Sequence, residues 1–288
     1  MRGLAQFIMK GRLYGILFVV AASLIPLFMW FGNAALALWT LRRGPADGAL
    51  IAAGALVGYL LVELVATGQV AGALLMVLVL WMPVLGAAMV LRGTISLPLT
   101  VLCVSGFSVM VMALFHLIAG GDGAIWASAL GIDVSELSEA QREELSAIGR
   151  YVPLGVGLSV WINTIFGLFL GRYWQAVLYN PGGFREEFYR FSLGNTVAIG
   201  VAVTLLGGML FGSWALAQFG ILLGAAYVLQ AFAVVHAFSR ARGWGWAVPA
   251  AGYVTLPLSW PAFMIIGLLD SWQNFRKRLP APEEKSSD

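Results

Sequence analysis

Six long apolar runs, at residues 47–66, 70–91, 95–118, 151–171, 194–216 and 217–239, set the terms on which this chain can fold. An α-helix rises about 1.5 Å per residue, so a run of about 20 apolar residues matches the roughly 30 Å hydrocarbon core of a bilayer. No water in that core satisfies backbone amides and carbonyls, which leaves helices to make the crossings. With 60% hydrophobic and 11% charged residues, the chain has too little polar surface to coat a soluble globule. The fold class is therefore all-α, a polytopic transmembrane helical bundle with lipid as its solvent.

Basic residues order the runs. Arg2, Lys10, Arg12, Arg42, Arg43, Arg92, Arg172, Arg185, Arg190, Arg240, Arg242, Arg276, Lys277, Arg278 and Lys285, fifteen of the seventeen, fall on one face of a single topology, with Arg142 and Arg150 on the other. Cytoplasmic loops accumulate Lys and Arg, so the first face is expected inside, with both termini cytoplasmic. The net charge of +3 comes from short clusters at the ends of apolar runs. They read as topology anchors and anionic-lipid contacts, and exclude a nucleic-acid-binding domain. The single Cys103 excludes a disulfide framework and a Cys-based metal site.

Two further hydrophobic segments, 13–40 and 244–272, each begin and end beside basic residues. The first contains Pro26 and Gly32-Asn33; the second contains Pro249, Pro257 and Pro261. Both are expected to turn within the membrane and return, because proline removes a backbone donor and kinks a helix. The alternative is a plain crossing that breaks the charge rule locally. The first also imitates a secretory signal, with Lys10 and Arg12 ahead of it and Ala35-Leu36-Ala37 behind. Its apolar part exceeds the usual signal core of about 7–15 residues and is interrupted by Pro26, so it reads as an uncleaved anchor. The expected organisation is one transmembrane domain over 1–275 and a flexible cytoplasmic tail over 276–288. The pairs Gly54/Gly58, Gly167/Gly171, Gly208/Gly212 and Gly220/Gly224 suit close helix packing, inside one bundle or against a partner.

Two loops stand out. The extracytoplasmic loop 119–150 carries Asp122, Asp133, Glu136, Glu139, Glu143 and Glu144 against Arg142 and Arg150. Capping-box spacing occurs at Asp133-Val134-Ser135-Glu136 and Ser138-Glu139-Ala140-Gln141, and Leu137, Leu145 and Ile148 form an apolar stripe. It reads as a lid over an outward cavity or as a solvated amphipathic helix. In the cytoplasmic loop 172–193, Asn180-Pro181-Gly182-Gly183 signals a turn, and Phe184, Phe188 and Phe191 then recur at helical spacing beside Arg185 and Arg190. Arg172, Tyr173, Trp174, Phe184, Arg185 and Phe188 are the expected contacts with lipid headgroups or with a cytoplasmic partner.

Taken together, Gly171-Arg172-Tyr173-Trp174-Gln175 through Asn180-Pro181-Gly182-Gly183-Phe184-Arg185, the early Arg42-Arg43-Gly44, and Gly267-Leu268-Leu269-Asp270 with Trp272, Phe275 and Arg276 resemble the YybS-like family of uncharacterised bacterial polytopic membrane proteins. The likeness spans most of the chain and rests on patches of interface residues. That family is similar in organisation to the substrate-binding S subunits of energy-coupling-factor transporters, six-helix proteins that capture vitamins. The resemblance implies a bacterial cytoplasmic (inner) membrane protein, a solute-binding or transport component beside other membrane or cytoplasmic subunits. Two extra hydrophobic segments and the lack of a vitamin-binding signature depart from it.

Polar groups at bilayer depth by default suggest function. Tyr59 and Glu63 lie one turn apart near the outer end of their helix, His116 near the outer end of another, and Asn163 and Thr164 midway along a third. If those helices face one another, the five line a cavity for a small polar or cationic solute beneath the acidic loop. Glu63 also suits pairing with Arg142 or Arg150, and Asp270 suits neutralising Arg276. Gln230 and His236 do not share a helix face well. No phosphate-binding loop, zinc-protease or serine-hydrolase motif, and no Cys-His cluster, is present, so no enzyme, cofactor or metal is expected. The runner-up function is a membrane scaffold or assembly factor recruiting a cytoplasmic partner through 172–193. An intramembrane enzyme using Glu63 and His116 as acid and base ranks behind both.

Overall fold

The computed structural model describes residues 1–279, apart from 69, 71, 73, 75, 76, 120–122 and 130–132. All secondary structure among these residues is helical. The chain divides into two compact units, Met1–Phe184 and the chain from Arg185 onward, where one domain is expected from the sequence.

Unit 1 opens with α1 (Arg2–Met9) and α2 (Arg12–Ser23), bent by 120° at the extended Gly11. A 3-10 turn, Pro26–Phe28, leads into α3 (Met29–Arg43), which packs back on α2. Helices of 12 and 15 residues rise only about 18 and 22 Å, less than the hydrocarbon core, so the first segment is the fold-back its Pro26 foretells. Residues 32–41 are buried around the whole circumference of α3. The helices packed on it are α2, α4 (Pro45–Thr67), α5 (Met82–Thr94) and α9 (Val152–Tyr179). Gly44, at φ 109, reverses the chain between α3 and α4 in a conformation costly to any side chain.

The expected helix over 70–91 lies partly outside the described residues. Its described portion is a π-helical turn, Val77–Trp81, running into α5. Then come α6 (Leu97–Ala119), the short α7 (Gly123–Ala129) and α8 (Glu139–Gly149), which packs on α7. The second capping box is real: Ser138 Oγ accepts from Gln141 N and Gln141 Oε1 from Ser138 N, at 3.4 and 2.9 Å. Asp133 instead caps a 3-10 turn, Val134–Glu136, accepting from Ser135 N at 2.8 Å.

Unit 2 holds most of α10 (Gly183–Tyr189), then α11 (Asn195–Leu210), α12 (Trp214–Ala241), α13 (Ala247–Gln273) and a 3-10 turn, Phe275–Arg278. The break expected between the runs 194–216 and 217–239 falls earlier, where Gly212 takes φ 62 and Ser213 caps α12. Gln218 is consequently buried inside α12.

The second terminal segment also turns back on itself. α13 is helical over 27 residues but sharply bent in the stretch that holds Pro257 and Pro261, since a Cβ built on Gly252 meets the Phe263 ring at 3.3 Å and Phe232 of α12 stacks on both Tyr253 and Phe263. Each proline deletes a backbone donor, which is where a helix kinks. Arg240 and Arg276 consequently meet the same segment, Arg240 pairing with Glu186 and Arg276 donating to the carbonyls of Tyr189 and Phe191. Residues 276–279 of the expected flexible tail belong to the fold; 280–288 lie outside the described residues.

The small residues act within each unit. A Cβ built on Gly54 or Gly58 meets α2, on Gly167 or Gly171 meets α3, on Gly208 meets α12, on Gly220 meets α11 and on Gly224 meets α13. Among the described residues, five helices are long and apolar enough to cross a bilayer, six if the bent α1–α2 pair counts as one. The protein is an integral membrane protein by that measure.

Candidate functional site

The closest helix pair in unit 1 carries its most unusual polar chemistry. Trp30 Nε1 donates to Asn163 Oδ1 at 2.8 Å, and its ring stacks on Phe166 at 5.1 Å. One turn on, a Cβ built on Gly167 would lie 2.6 Å from Asn33 Cβ; a turn further, one on Gly171 would lie 2.7 Å from Ala34 O. Both sequences advance together, so α3 and α9 run parallel. Side chains on a helix lean toward its N-terminus, which carries Asn33 from the level of Gly167 toward the turn bearing Thr164.

Thr164 is 0% exposed, Asn33 1% and Ser23 4%, with Ser23 Oγ set against Gly32 at the end of the α2–α3 hairpin. Asn33 Nδ2, Thr164 Oγ1 and Ser23 Oγ have no hydrogen-bond partner among the described residues. Two other buried helical hydroxyls of this unit bond back one turn, Thr40 to Leu36 O at 2.8 Å and Ser105 to Val101 O at 2.9 Å, whereas Ser108 Oγ on α6 is also without a partner among the described residues. Leaving a buried polar group unsatisfied costs about 1–3 kcal/mol. Three of them, all uncharged, mark the α2–α3–α9 junction as a place that can satisfy a small hydroxyl- or carbonyl-bearing molecule.

The five residues expected to line one cavity are distributed. Asn163 and Thr164 lie at this seam, Asn163 already taken by Trp30. Tyr59 and Glu63 sit on α4, which packs on α2, α3 and α5; Tyr59 meets the Trp81 ring edge-on at 6.4 Å, and the Glu63 carboxylate lies against Gly72. His116 is on α6, which packs on α5 and α9. The neighbouring Phe115 stacks on Trp126 of α7 at 5.3 Å, joining the loop that follows α6 to the end of that helix. A separate cleft of about 310 Å³ between α5 and α6 is lined by Met82, Pro83, Gly86, Val90, Cys103 and Phe107. Its apolar lining suits an acyl chain, and no expected site residue reaches it.

Among the residues expected at the headgroup layer, Trp174 needs correction. It is 0% exposed, its ring against Phe18 and Phe31 at 6.4 and 6.1 Å. The cause is that α9 continues to Tyr179, which puts Trp174 on the face of Gly167 and Gly171. Tyr173 is exposed, Arg172 donates to Gln175 Oε1 at 3.2 Å, and Phe184 meets Phe169 edge-on at 5.5 Å.

In unit 2, Arg185 is exposed, and Phe188 packs edge-on against His236 at 5.8 Å. Glu186 pairs with Arg240 at 2.6 Å. That guanidinium holds the Glu186 carboxyl below its usual range, so the pair's contribution is complete at neutral pH and is lost as pH falls through the lowered value. Both partners are about half exposed, so solvent screens the bond. Glu186→Gln is expected to change unfolding stability by about 0.5 kcal/mol or less at physiological salt, measured by denaturant titration.

The strongest polar arrangement in unit 2 joins groups the sequence keeps apart. Asp270 Oδ2 accepts from Arg276 Nη2 at 2.7 Å and from Gln230 Nε2 at 2.8 Å, while its Oδ1 accepts from Phe275 N at 3.0 Å. Arg276 Nη1 donates to the carbonyls of Tyr189 and Phe191 at 2.9 and 2.7 Å, and Gln230 Oε1 accepts from Leu193 N at 2.9 Å. The pairing of Asp270 with Arg276 is the one expected. Gln230 was not legible as its partner, because 40 residues separate it from Asp270 and an isolated Gln in an apolar helix carries no address.

Comparison with protein-family models, curated proteins and solved structures finds no match to this chain.

Proposed function

We propose that this integral membrane protein is a solute-binding or transport component whose binding groups are Asn33, Thr164 and Ser23 at the α2–α3–α9 junction. The observation that carries the reading is the set of three buried polar atoms without a hydrogen-bond partner beside a hairpin that turns back before crossing. Irregular backbone at membrane depth persists where it is enclosed by protein or lines a polar cavity, and broken helices of this kind form the binding sites of many transporters. The resemblance to transporter S subunits points the same way. Because the groups are neutral, the solute class is small, uncharged and rich in hydroxyl or carbonyl oxygen.

The test is thermal unfolding of the purified protein with a panel of such solutes. One that binds should stabilise the fold, by about 2.7 kcal/mol at a hundred times its dissociation constant. Asn33→Leu should remove that shift while leaving the unliganded protein as stable or more so, since an orphaned donor is replaced by apolar volume. Glu63→Gln should leave the shift intact. No stabilising solute, or an Asn33→Leu protein that still responds, defeats the reading.

The scaffold reading keeps one observation in its favour. Five hydrogen bonds, four donated by Arg276, Tyr227 and Arg240 and one accepted by Gln230, hold the segment 186–194 within unit 2, more than a lipid anchor needs. Under that reading Arg185→Ala with Phe188→Ala abolishes capture of a cytoplasmic partner and leaves solute stabilisation unchanged.

A further inference from the structure

In unit 1, three helices end or pass together at a point crowded with guanidinium groups. α3 closes on Arg42 and Arg43, α5 closes on Arg92, and α9 passes with Arg172, Gln175 and Tyr179. Arg92 Nη1 donates to Leu41 O at 2.5 Å, and Gln175 Nε2 donates to the same carbonyl at 3.4 Å. The Arg92 guanidinium also stands 3.9 Å from a Cβ built on Gly44, across the α3–α4 turn. Arg42 lies over the Tyr179 ring at 4.0 Å, and Arg172 bonds to Gln175.

The contacts of Arg92 and Arg42 fix their guanidinium planes on neutral partners, a carbonyl and a ring. The acid closest in sequence, Asp47, is taken by Arg12 at 2.7 Å. Several like charges held at one point favour an anion between them, and the planar fork of arginine fits phosphate oxygens. The apolar flank names the source of that phosphate. Ile95, directly after α5, is 86% exposed, and Met89 is 48% exposed on the same helix, surfaces that lipid tails cover and water does not.

We propose that Arg42, Arg43 and Arg92 form a binding site for the phosphate of an anionic phospholipid. Arg92 is the fixed fork, Arg42 and Arg43 are exposed arms, and Tyr179 orients Arg42. Inorganic phosphate shares the chemistry and lacks the tails.

The experiment is native mass spectrometry of the full chain in detergent, titrated with phosphatidylglycerol or with phosphatidylcholine of the same acyl chains. Phosphatidylglycerol should be retained in preference, and Arg42→Gln with Arg92→Gln should weaken its retention by about thirtyfold, two charges near the headgroup layer. Arg42→Gln with Arg43→Gln, which leaves the Leu41 contact intact, should show the same loss if the first pair folds poorly. Arg142→Gln with Arg150→Gln, removing equal charge from the 119–150 loop, should bind as the parent does. Equal retention of the two lipids, or unchanged phosphatidylglycerol binding in both inner-cluster variants, overturns the site. Displacement of the lipid by millimolar inorganic phosphate overturns its assignment to a lipid.

Discussion

Asp270→Ala is expected to destabilise unit 2 by about 3–5 kcal/mol, the cost of stranding one member of a buried ion pair. The side chain of Asp270 is fully buried and that of Arg276 is 13% exposed, so solvent can do little for the guanidinium left behind. The same substitution removes the acceptor of Gln230 Nε2 and of Phe275 N, which end α13 and hold the segment before α11. Protease sensitivity should therefore rise first around 189–194 and 274–279. The double variant Asp270→Ala with Arg276→Ala should recover part of the loss, because no unpaired charge remains. A drop below about 1 kcal/mol in denaturant titration would mean the pair is as screened as a surface bond, and the attachment of these segments would need another explanation.

How much of this was open to reading in advance depends on the range of the interaction. Apolar runs and capping boxes are local signals, and α4, α6, α9, α12 and the start of α8 follow them. Proline is local too, and both terminal segments turn back where it sits: Pro26 ends a short helix that α3 then covers, whereas Pro257 and Pro261 bend α13 without interrupting it, so that both of its legs pack on α12. The end of the apolar run at residue 171 placed Trp174 in the loop at the headgroup layer, because nothing nearby showed that α9 would continue two turns further. The candidate pocket failed as a set for a similar reason. Tyr59, His116 and Asn163 each have the right depth, but which helices touch is decided by which small residues let backbones approach, and Gly167 and Gly171 chose α3 for α9. Thr164 survives as a candidate and Asn33, flagged only as part of a turn, joins it.

That choice yields the second large effect. Gly171→Ala is expected to cost about 1–3 kcal/mol or more through overpacking, since its new methyl would fall 2.7 Å from both Ala34 O and Ala37 Cβ and 3.1 Å from Leu38 N. Two of those atoms are backbone within a buried helix, so relief requires α3 and α9 to move apart. Gly155→Ala, on the same helix with nothing within 4 Å of the new carbon, supplies the control. It should be neutral or stabilising by roughly 0.5–1 kcal/mol from helix propensity alone. The two alanines thus differ in sign, although a sequence scale scores them alike. Separation of the seam has a further consequence, because Trp30 reaches Asn163 and Asn33 overlies Gly167 only while the backbones stay in contact. Gly171→Ala should therefore abolish solute stabilisation at temperatures where the protein is still folded. If both alanines prove harmless in thermal unfolding, α3 and α9 are not pressed together, and the polar junction built on their contact loses its basis.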